Sequence, residues 1–570
     1  MMSYTDYLFV PLFLIMALIY FLIPLKKRWI VLLAASLLFY ATWGGMGFAY
    51  LIGAVLVSWI AGLWMGSVWK KHTDDKVKAK KITKKILWLG AAALILVLIL
   101  VKLRSIMPES AIVKLLPEGL YHYALWHGLN GWFSEGSALY SVFVWLNEHF
   151  PAQEAGSIIA PLGISYFTLS LVGYMADIYW RKEEAERNPL KLLLFAAYFP
   201  KILEGPISKH RLTAKGLYEG HRFDFQKFCF GLQRILWGFF KKLVIADRLA
   251  LFTGTVFADV TSYHGMVLLA AAVFAAFELY CDFSGCMDMA LGMSEALGIE
   301  LEENFRRPFF SRSAAEFWRR WHISLGTWFK DYIYMPLVVS PALIRLSGNI
   351  RGIFGGNIKA DKTAPPEVQE RQKKAAKRGR RAGKAVLTVI PLACVWILTG
   401  LWHGTGWNYV VWGAYWGLLI ILSAVFEPEI NKLSALLHIN TKSRGWLLVQ
   451  RLRTFFLFVI SRIISLPSSL KETGLIFSRI FRSFAAWELF DGTLLDQGLD
   501  WPNMVLVIAM IFLLMWIEKK QEEGVVFREK IAAFPIVLRW IVYFAVIFFV
   551  LIVGIYGGEY DAASFVYTNF

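Results

Sequence analysis

Long uncharged stretches alternate with tight clusters of charge along this chain. No Asp, Glu, Lys or Arg occurs in Tyr7 to Leu25, Trp29 to Trp69, Ala155 to Ala176, Ala385 to Phe426 or Ile541 to Gly558. A helix needs ~20 apolar residues to cross a hydrocarbon core of ~30 Å. The 41 residues from Trp29 to Trp69 therefore predict two spans, turning near Gly44-Gly45-Met46-Gly47. Ala385 to Phe426 predicts two more, and single spans are expected at Tyr7–Leu25, Ala155–Ala176, Trp446–Ile464, Pro502–Ile517 and Ile541–Tyr556. Leu190–Leu203 is too short to span and reads as re-entrant, and the aromatic-rich His122–Trp145 reads as interfacial. Arg234, Lys241 and Lys242 interrupt Phe228–Phe257 as a single helix. The pattern predicts an all-α polytopic membrane protein of about 11–13 embedded segments. With no internal repeat, one domain over 1–570 is expected: N-terminal spans in 1–103, a core in 155–426 and C-terminal spans in 427–570.

Charge placement orients these spans. Eight lysines lie between Lys70 and Lys85, and twelve Lys/Arg against three Asp/Glu lie between Arg345 and Lys384. Read as short loops, these clusters and Lys26-Lys27-Arg28 all fall on one side, the cytoplasmic side by the positive-inside rule. Both termini then lie outside. The first run lacks a basic n-region and reads as a retained helix, not a cleaved signal. The net charge of +18 is thus a topology signal with some attraction for anionic lipid, and no nucleic-acid partner is expected. Composition agrees: 57% of residues are hydrophobic, and only 18% are charged against ~25% in ordinary globular chains. Cys229, Cys281, Cys286 and Cys394 show no metal-ligand spacing and read as buried free thiols, and no metal is expected.

Two segments carry candidate chemistry. Ser313-Ala314-Ala315-Glu316 is a capping box, predicting a helix from there to just before Pro336. Trp318, Trp321, Leu325, Trp328 and Tyr332 make one apolar stripe on it, and the spacing puts His322 on the same buried face. A lone histidine on an apolar face is more often a hydrogen-bonded structural residue, but polar groups at membrane depth are costly and mark functional sites. The second segment is Leu398 to Trp407, with three glycines and His403, the one histidine of its uncharged run. It reads either as an ordinary outer turn or as a histidine facing a polar passage. A neutral imidazole there can take a proton from a hydroxyl, the general-base role in acyl transfer to an alcohol. Neither HExxH nor a GxSxG elbow is present.

These residues resemble the membrane-bound O-acyltransferase family, in particular its bacterial alginate O-acetylation branch. The matching segments are Asp282-Phe283-Ser284-Gly285 with Asp288-Met289-Ala290; Glu303-Asn304-Phe305 with Arg307-Pro308; Phe317 through Leu325 (FWRRWHISL); Trp328 through Tyr332; and Leu401-Trp402-His403-Gly404. Pro200 through Ile207 and the ending Phe565 to Phe570 match more weakly. The resemblance implies a helical bundle around a tunnel, with re-entrant and interfacial helices, in a bacterial cytoplasmic membrane. It implies that His403 and His322 are catalytic, and that Trp321, Trp402, Asn304, Asp282, Ser284, Asp288, Asp331 and Glu204 line the tunnel or bind substrate. Glu204, where the family commonly has alanine, could instead pair with Lys201 or Lys209. Cys286 replaces a common aromatic.

The reaction so implied moves an acetyl or similar acyl group from a cytoplasmic thioester to a hydroxyl outside. The donor is acetyl coenzyme A or an acyl carrier protein, acting as substrate, with no tightly bound cofactor. The acceptor is an exported polysaccharide or a relay acyltransferase partner. A close variant moves D-alanine from a carrier protein to teichoic acid, with Arg345–Lys384 docking the acidic carrier. A transporter or flippase is the alternative from another class, though the repeated halves common there are absent.

Overall fold

In a computed structural model, the residues described are 3–6, 8–43, 45–104, 161–359, 363–404, 406–467 and 469–556. The predicted interfacial segment His122–Trp145, the start of the Ala155 span and the ending Phe565–Phe570 lie outside them. Regular structure among the described residues is helical. The chain runs through α1 (Phe9–Leu22), α2 (Arg28–Ala41), α3 (Gly45–Lys71), α4 (Lys76–Arg104), α5 (Ile164–Tyr179), α6 (Pro189–Ala197), α7 (Phe199–Ile202), α8 (His210–Tyr218) and α9 (Phe225–Phe239). A π-helical turn, Phe240–Ala246, leads into α10 (Asp247–Ala258), and α11 (Gly265–Ala296) follows. Next come α12 (Ala314–Arg320), α13 (Ile323–Phe329), a second π turn (Lys330–Tyr334), α14 (Met335–Val338), α15 (Pro341–Ile353), α16 (Pro366–His403) and α17 (Trp407–Leu436). The C-terminal part holds α18 (Arg444–Ser465), α19 (Leu470–Arg482), α20 (Trp501–Glu522), α21 (Phe527–Ala532) and α22 (Ile536–Val553).

Seven of these are long and apolar enough to cross a membrane: α3, α4, α11, α16, α17, α20 and α22, with an eighth if the bent run Ile323–Val338 plus Pro341–Ile353 counts as one. The protein is a multi-pass membrane protein of the all-α class. Expected spans at the N-terminus come out shorter than their apolar runs. Ile23 turns extended ahead of Pro24 and ends α1, so α1 and α2 have 14 residues each. The described part of the Ala155 run is the 16-residue α5, which starts after Gly163 in left-handed conformation.

The two basic clusters are not loops. Lys70 and Lys71 end α3 and Lys76 begins α4, leaving a turn of residues 72–75 in which Asp75 accepts from the Lys78 N–H at 2.9 Å. Most of Arg345–Lys384 is a packed helical hairpin, α15 against the N-terminal half of α16. Gly379 permits it, because a Cβ there would lie 2.1 Å from the Gly356 nitrogen. Two cysteines also depart from expectation: Cys281 and Cys286 are buried, whereas Cys229 and Cys394 are only half-buried.

The described residues group into two compact units: 1–258, 273–304 and 486–570 form the first, and 259–272 with 305–485 the second. In the first, the short helix α7 is clamped by α2 and the N-terminal segment. The Ser36 hydroxyl accepts from the Phe199 N–H at 3.1 Å, and the Tyr4 hydroxyl donates to the Phe199 carbonyl at 2.6 Å. In the second, indoles and phenyl rings of α12, α16, α17 and α18 form the core. Trp318 contacts Trp396, Trp412 and Trp416, and Phe317 stacks on both Trp321 and Trp416.

Candidate active site

The FWRRWHISL segment begins as its capping box predicts. The Ser313 hydroxyl accepts from the Glu316 N–H at 3.2 Å and starts α12, while the Glu316 carboxylate accepts from the Arg312 N–H at 2.9 Å. The helix does not run on to Pro336. In a continuous helix the Arg320 carbonyl would accept from Ser324; here it accepts from the Arg306 N–H at 2.8 Å. The chain breaks there, with Trp321 extended and His322 left-handed at φ 46°, ψ 52°. Such a conformation is uncommon in a non-glycine residue and costs roughly 1–3 kcal/mol. It turns the imidazole inward, 1% exposed, so the predicted burial of His322 holds although a break, and not periodicity, produces it. Helical structure then continues past Pro336 to Val338, because the π turn Lys330–Tyr334 relaxes the backbone just ahead of the missing N–H.

His403 is the last residue of α16, and Gly404 follows in extended conformation. The helix continues to this point because its glycines let α17 pack closely. A Cβ on Gly400 would lie 2.5 Å from the Tyr409 carbonyl oxygen, and one on Gly413 equally close to that of Trp396. His403 is 5% exposed and is no surface turn. Its ring lies 4.9 Å from that of Trp402 and 4.8 Å from that of Trp412, and the His322 ring packs on the same Trp402 at 5.8 Å. One buried indole thus touches both histidines. Trp321, 2% exposed, packs on Phe305, Phe317 and Phe458, directly before His322. Asp331 sits half-buried on the π turn. Trp412 was not singled out from the sequence; its five-residue spacing from Trp407 hides it, though its four-residue spacing from Trp416 on a helix was a usable signal.

The remaining predicted residues lie in the first unit, where buried charge holds Asp282, Ser284 and Asp288. Lys242 donates to Asp282 at 2.7 Å and to Asp247 at 2.9 Å. Lys241 donates to Asp288 at 2.5 Å and to the Ser284 hydroxyl at 2.8 Å. Arg234 donates to Asp288 at 2.9 Å and, with both terminal nitrogens, to Glu303 at 2.7 Å. Both lysines stand on the π turn after α9, so the charges that made Phe228–Phe257 a doubtful helix are the partners of the DFSG segment. Asn304 is fully buried, its amide 3.3 Å from the Met287 sulfur. Glu204 is fully buried, and Lys201 holds its ammonium 3.7 Å from the centre of the Phe195 ring.

Known proteins are similar to this chain over most of its length. The model of the membrane-bound O-acyltransferase family matches residues 181–345, which include His322 but not His403. The probable alginate O-acetylase AlgI of Pseudomonas syringae pv. tomato is 29% identical over 483 residues, 85% of this chain and 75% of the relative. The chain belongs to the membrane-bound O-acyltransferase family. Other relatives in it are the peptidoglycan O-acetyltransferase of Helicobacter pylori, 27% identical over 71% of this chain and 66% of its own length. The teichoic acid D-alanyltransferase of Bacillus subtilis is 26% identical over 52% of this chain and 66% of its own. Membership makes the protein an O-acyltransferase, and the transporter reading falls away.

Proposed function

We propose that the protein transfers an acetyl group from a cytoplasmic thioester, through a passage reaching His403 and His322, to a hydroxyl of an exported polysaccharide or of a relay partner, in a bacterial cytoplasmic membrane. The observation that supports this most is the pair of buried imidazoles sharing the Trp402 indole at a break between helices. In this reading the acceptor hydroxyl donates its proton to His403 while its oxygen attacks the thioester carbon. The C–S bond then breaks, and the imidazolium returns the proton to the departing thiolate, giving ester and free thiol. The end of α16 suits that cycle, because helix C-terminal carbonyls favour a transient positive charge. His322 orients the thioester, and Trp402 and Trp321 keep the site dry and shaped. Asp331 holds its π turn in place. Asp282, Ser284, Asp288, Asn304 and Glu204 act within the first unit, where the charge network fixes α11 to the π turn after α9.

The test is to incubate the purified protein with labelled acetyl coenzyme A and candidate glycans. His403→Ala should lose ~10²–10⁴ of the acceptor-dependent thiol release while remaining folded in the membrane. Wild-type turnover in that variant sinks the proposal. Labelling from a D-alanyl carrier protein in place of acetyl coenzyme A redirects it to the reaction of the teichoic acid relatives.

A further inference from the structure

We propose that the lysine-rich end of the α3–α4 hairpin is a binding site for the phosphate headgroup of an anionic glycerophospholipid, held edge-on against α4. An open groove of about 430 Å³ lies there, lined by Lys76, Val77, Lys80, Lys81, Lys84 and Tyr179. Lys76, Lys80 and Lys84 repeat every four residues and so share one face of α4. None of the four groove lysines forms an ion pair among the described residues. The hairpin segment Lys70–Lys85 sets eight lysines against Asp74 and Asp75 alone, so the groove carries positive charge without a built-in partner.

The surroundings choose a lipid over a soluble anion. Trp69, Tyr179 and Trp180 gather at the same end of the unit. Arg181 lies 5.3 Å from the Trp69 ring centre and Lys182 4.4 Å from that of Trp180, the pairing of aromatic rings with cations found at headgroup depth. Directly beyond Lys84 and Lys85 the outer face of α4 becomes apolar and stays exposed. Trp88 is 64% exposed, Leu89 68% and Leu96 57%. A phosphate seated among the lysines would have its acyl chains continue along that track, whereas a free anion would use only the groove. Basic pockets at the ends of membrane helices bind phospholipid headgroups by this division of labour.

The experiment titrates the full-length protein in mild detergent with cardiolipin, phosphatidylglycerol or phosphatidylcholine, and counts retained lipid by native mass spectrometry. The wild type should retain the anionic lipids over phosphatidylcholine, cardiolipin most. The triple variant Lys76→Gln/Lys80→Gln/Lys84→Gln should lose that preference by roughly tenfold or more. The control Lys373→Gln/Lys374→Gln/Lys377→Gln, on another helix, should keep it. Equal retention by the groove variant and the wild type overturns the site, as does equal loss in the control. Displacement of the lipid by millimolar inorganic phosphate or acetyl coenzyme A overturns the lipid assignment and gives the groove to a soluble anion.

Discussion

The two buried polar regions of this chain follow opposite rules. In the first unit, Lys241, Lys242 and Arg234 are matched by Asp282, Asp247, Asp288 and Glu303 at 2.5–2.9 Å. In the second, His322 and His403 are packed by indole rings. A charge committed to an opposite charge holds structure, because neither partner can change state without stranding the other. An imidazole bordered by aromatic surface is, in the proposed reaction, the group that takes up and returns a proton. On the proposed mechanism, the contrast separates residues that hold helices together from residues that handle a proton.

Substitutions centred on three sites would break or sharpen the contrast. Lys242→Met leaves two buried carboxylates facing each other and should cost about 3–5 kcal/mol, seen as loss of folded protein from the membrane fraction. Lys242→Met combined with Asp282→Asn and Asp247→Asn should recover most of the yield. Yield unaffected by the single change would place the network outside the structural role. A smaller effect is expected at His322. His322→Asn tolerates the left-handed backbone and should fold within about 1 kcal/mol of wild type, with acyl transfer strongly reduced; His322→Val should melt lower than the Asn variant, because a β-branched residue is strained at φ 46°. Full activity in the Asn variant would reduce His322 to a packing residue.

The smallest expected effect lies outside the spans, at Glu183. Its carboxylate accepts from His210 at 2.8 Å, and Tyr218, Tyr174, Asp177 and Arg211 face the same cluster. Burial raises the Glu183 pKa above the ordinary carboxyl value, with His210 and Arg211 opposing. The folded chain therefore takes up this proton before the unfolded chain does. In the window just above ~4.3 stability should rise as pH falls and be lost as pH climbs through the raised value. Melting between pH 7 and pH 5 should show a wild-type gain of about a degree or two that Glu183→Gln lacks. An identical pH slope in both would remove Glu183 as the source.

Much of this was legible in the sequence, for physical reasons that differ by feature. Many of the spans follow from uncharged length, and the runs at Trp29–Trp69 and Ala385–Phe426 each became a helix pair, although α2 in the first has only 14 residues. The capping box at Ser313 was legible because it is local. The break at Trp321–His322 was not, because it depends on Arg306, a residue 14 positions away from the carbonyl it captures. The helical basic hairpin was hidden for a related reason. Charge reads as loop when nothing in the sequence shows what it packs against, and the contact of Gly379 with Gly356 is not local. His322 and His403 stood out as isolated polar residues in apolar surroundings, but their meeting on Trp402 is a fact of tertiary structure.

The length of α16 has a mechanical consequence. At ~1.5 Å per residue, its 38 residues exceed the ~30 Å hydrocarbon core of a bilayer by almost as much again. One rod therefore carries the arginine-rich stretch at its start and His403 at its tip. Its joint is Pro391, which cannot bond back to the carbonyl of Leu387. A pull on the charged arm swings the imidazole end only as far as that joint stays stiff.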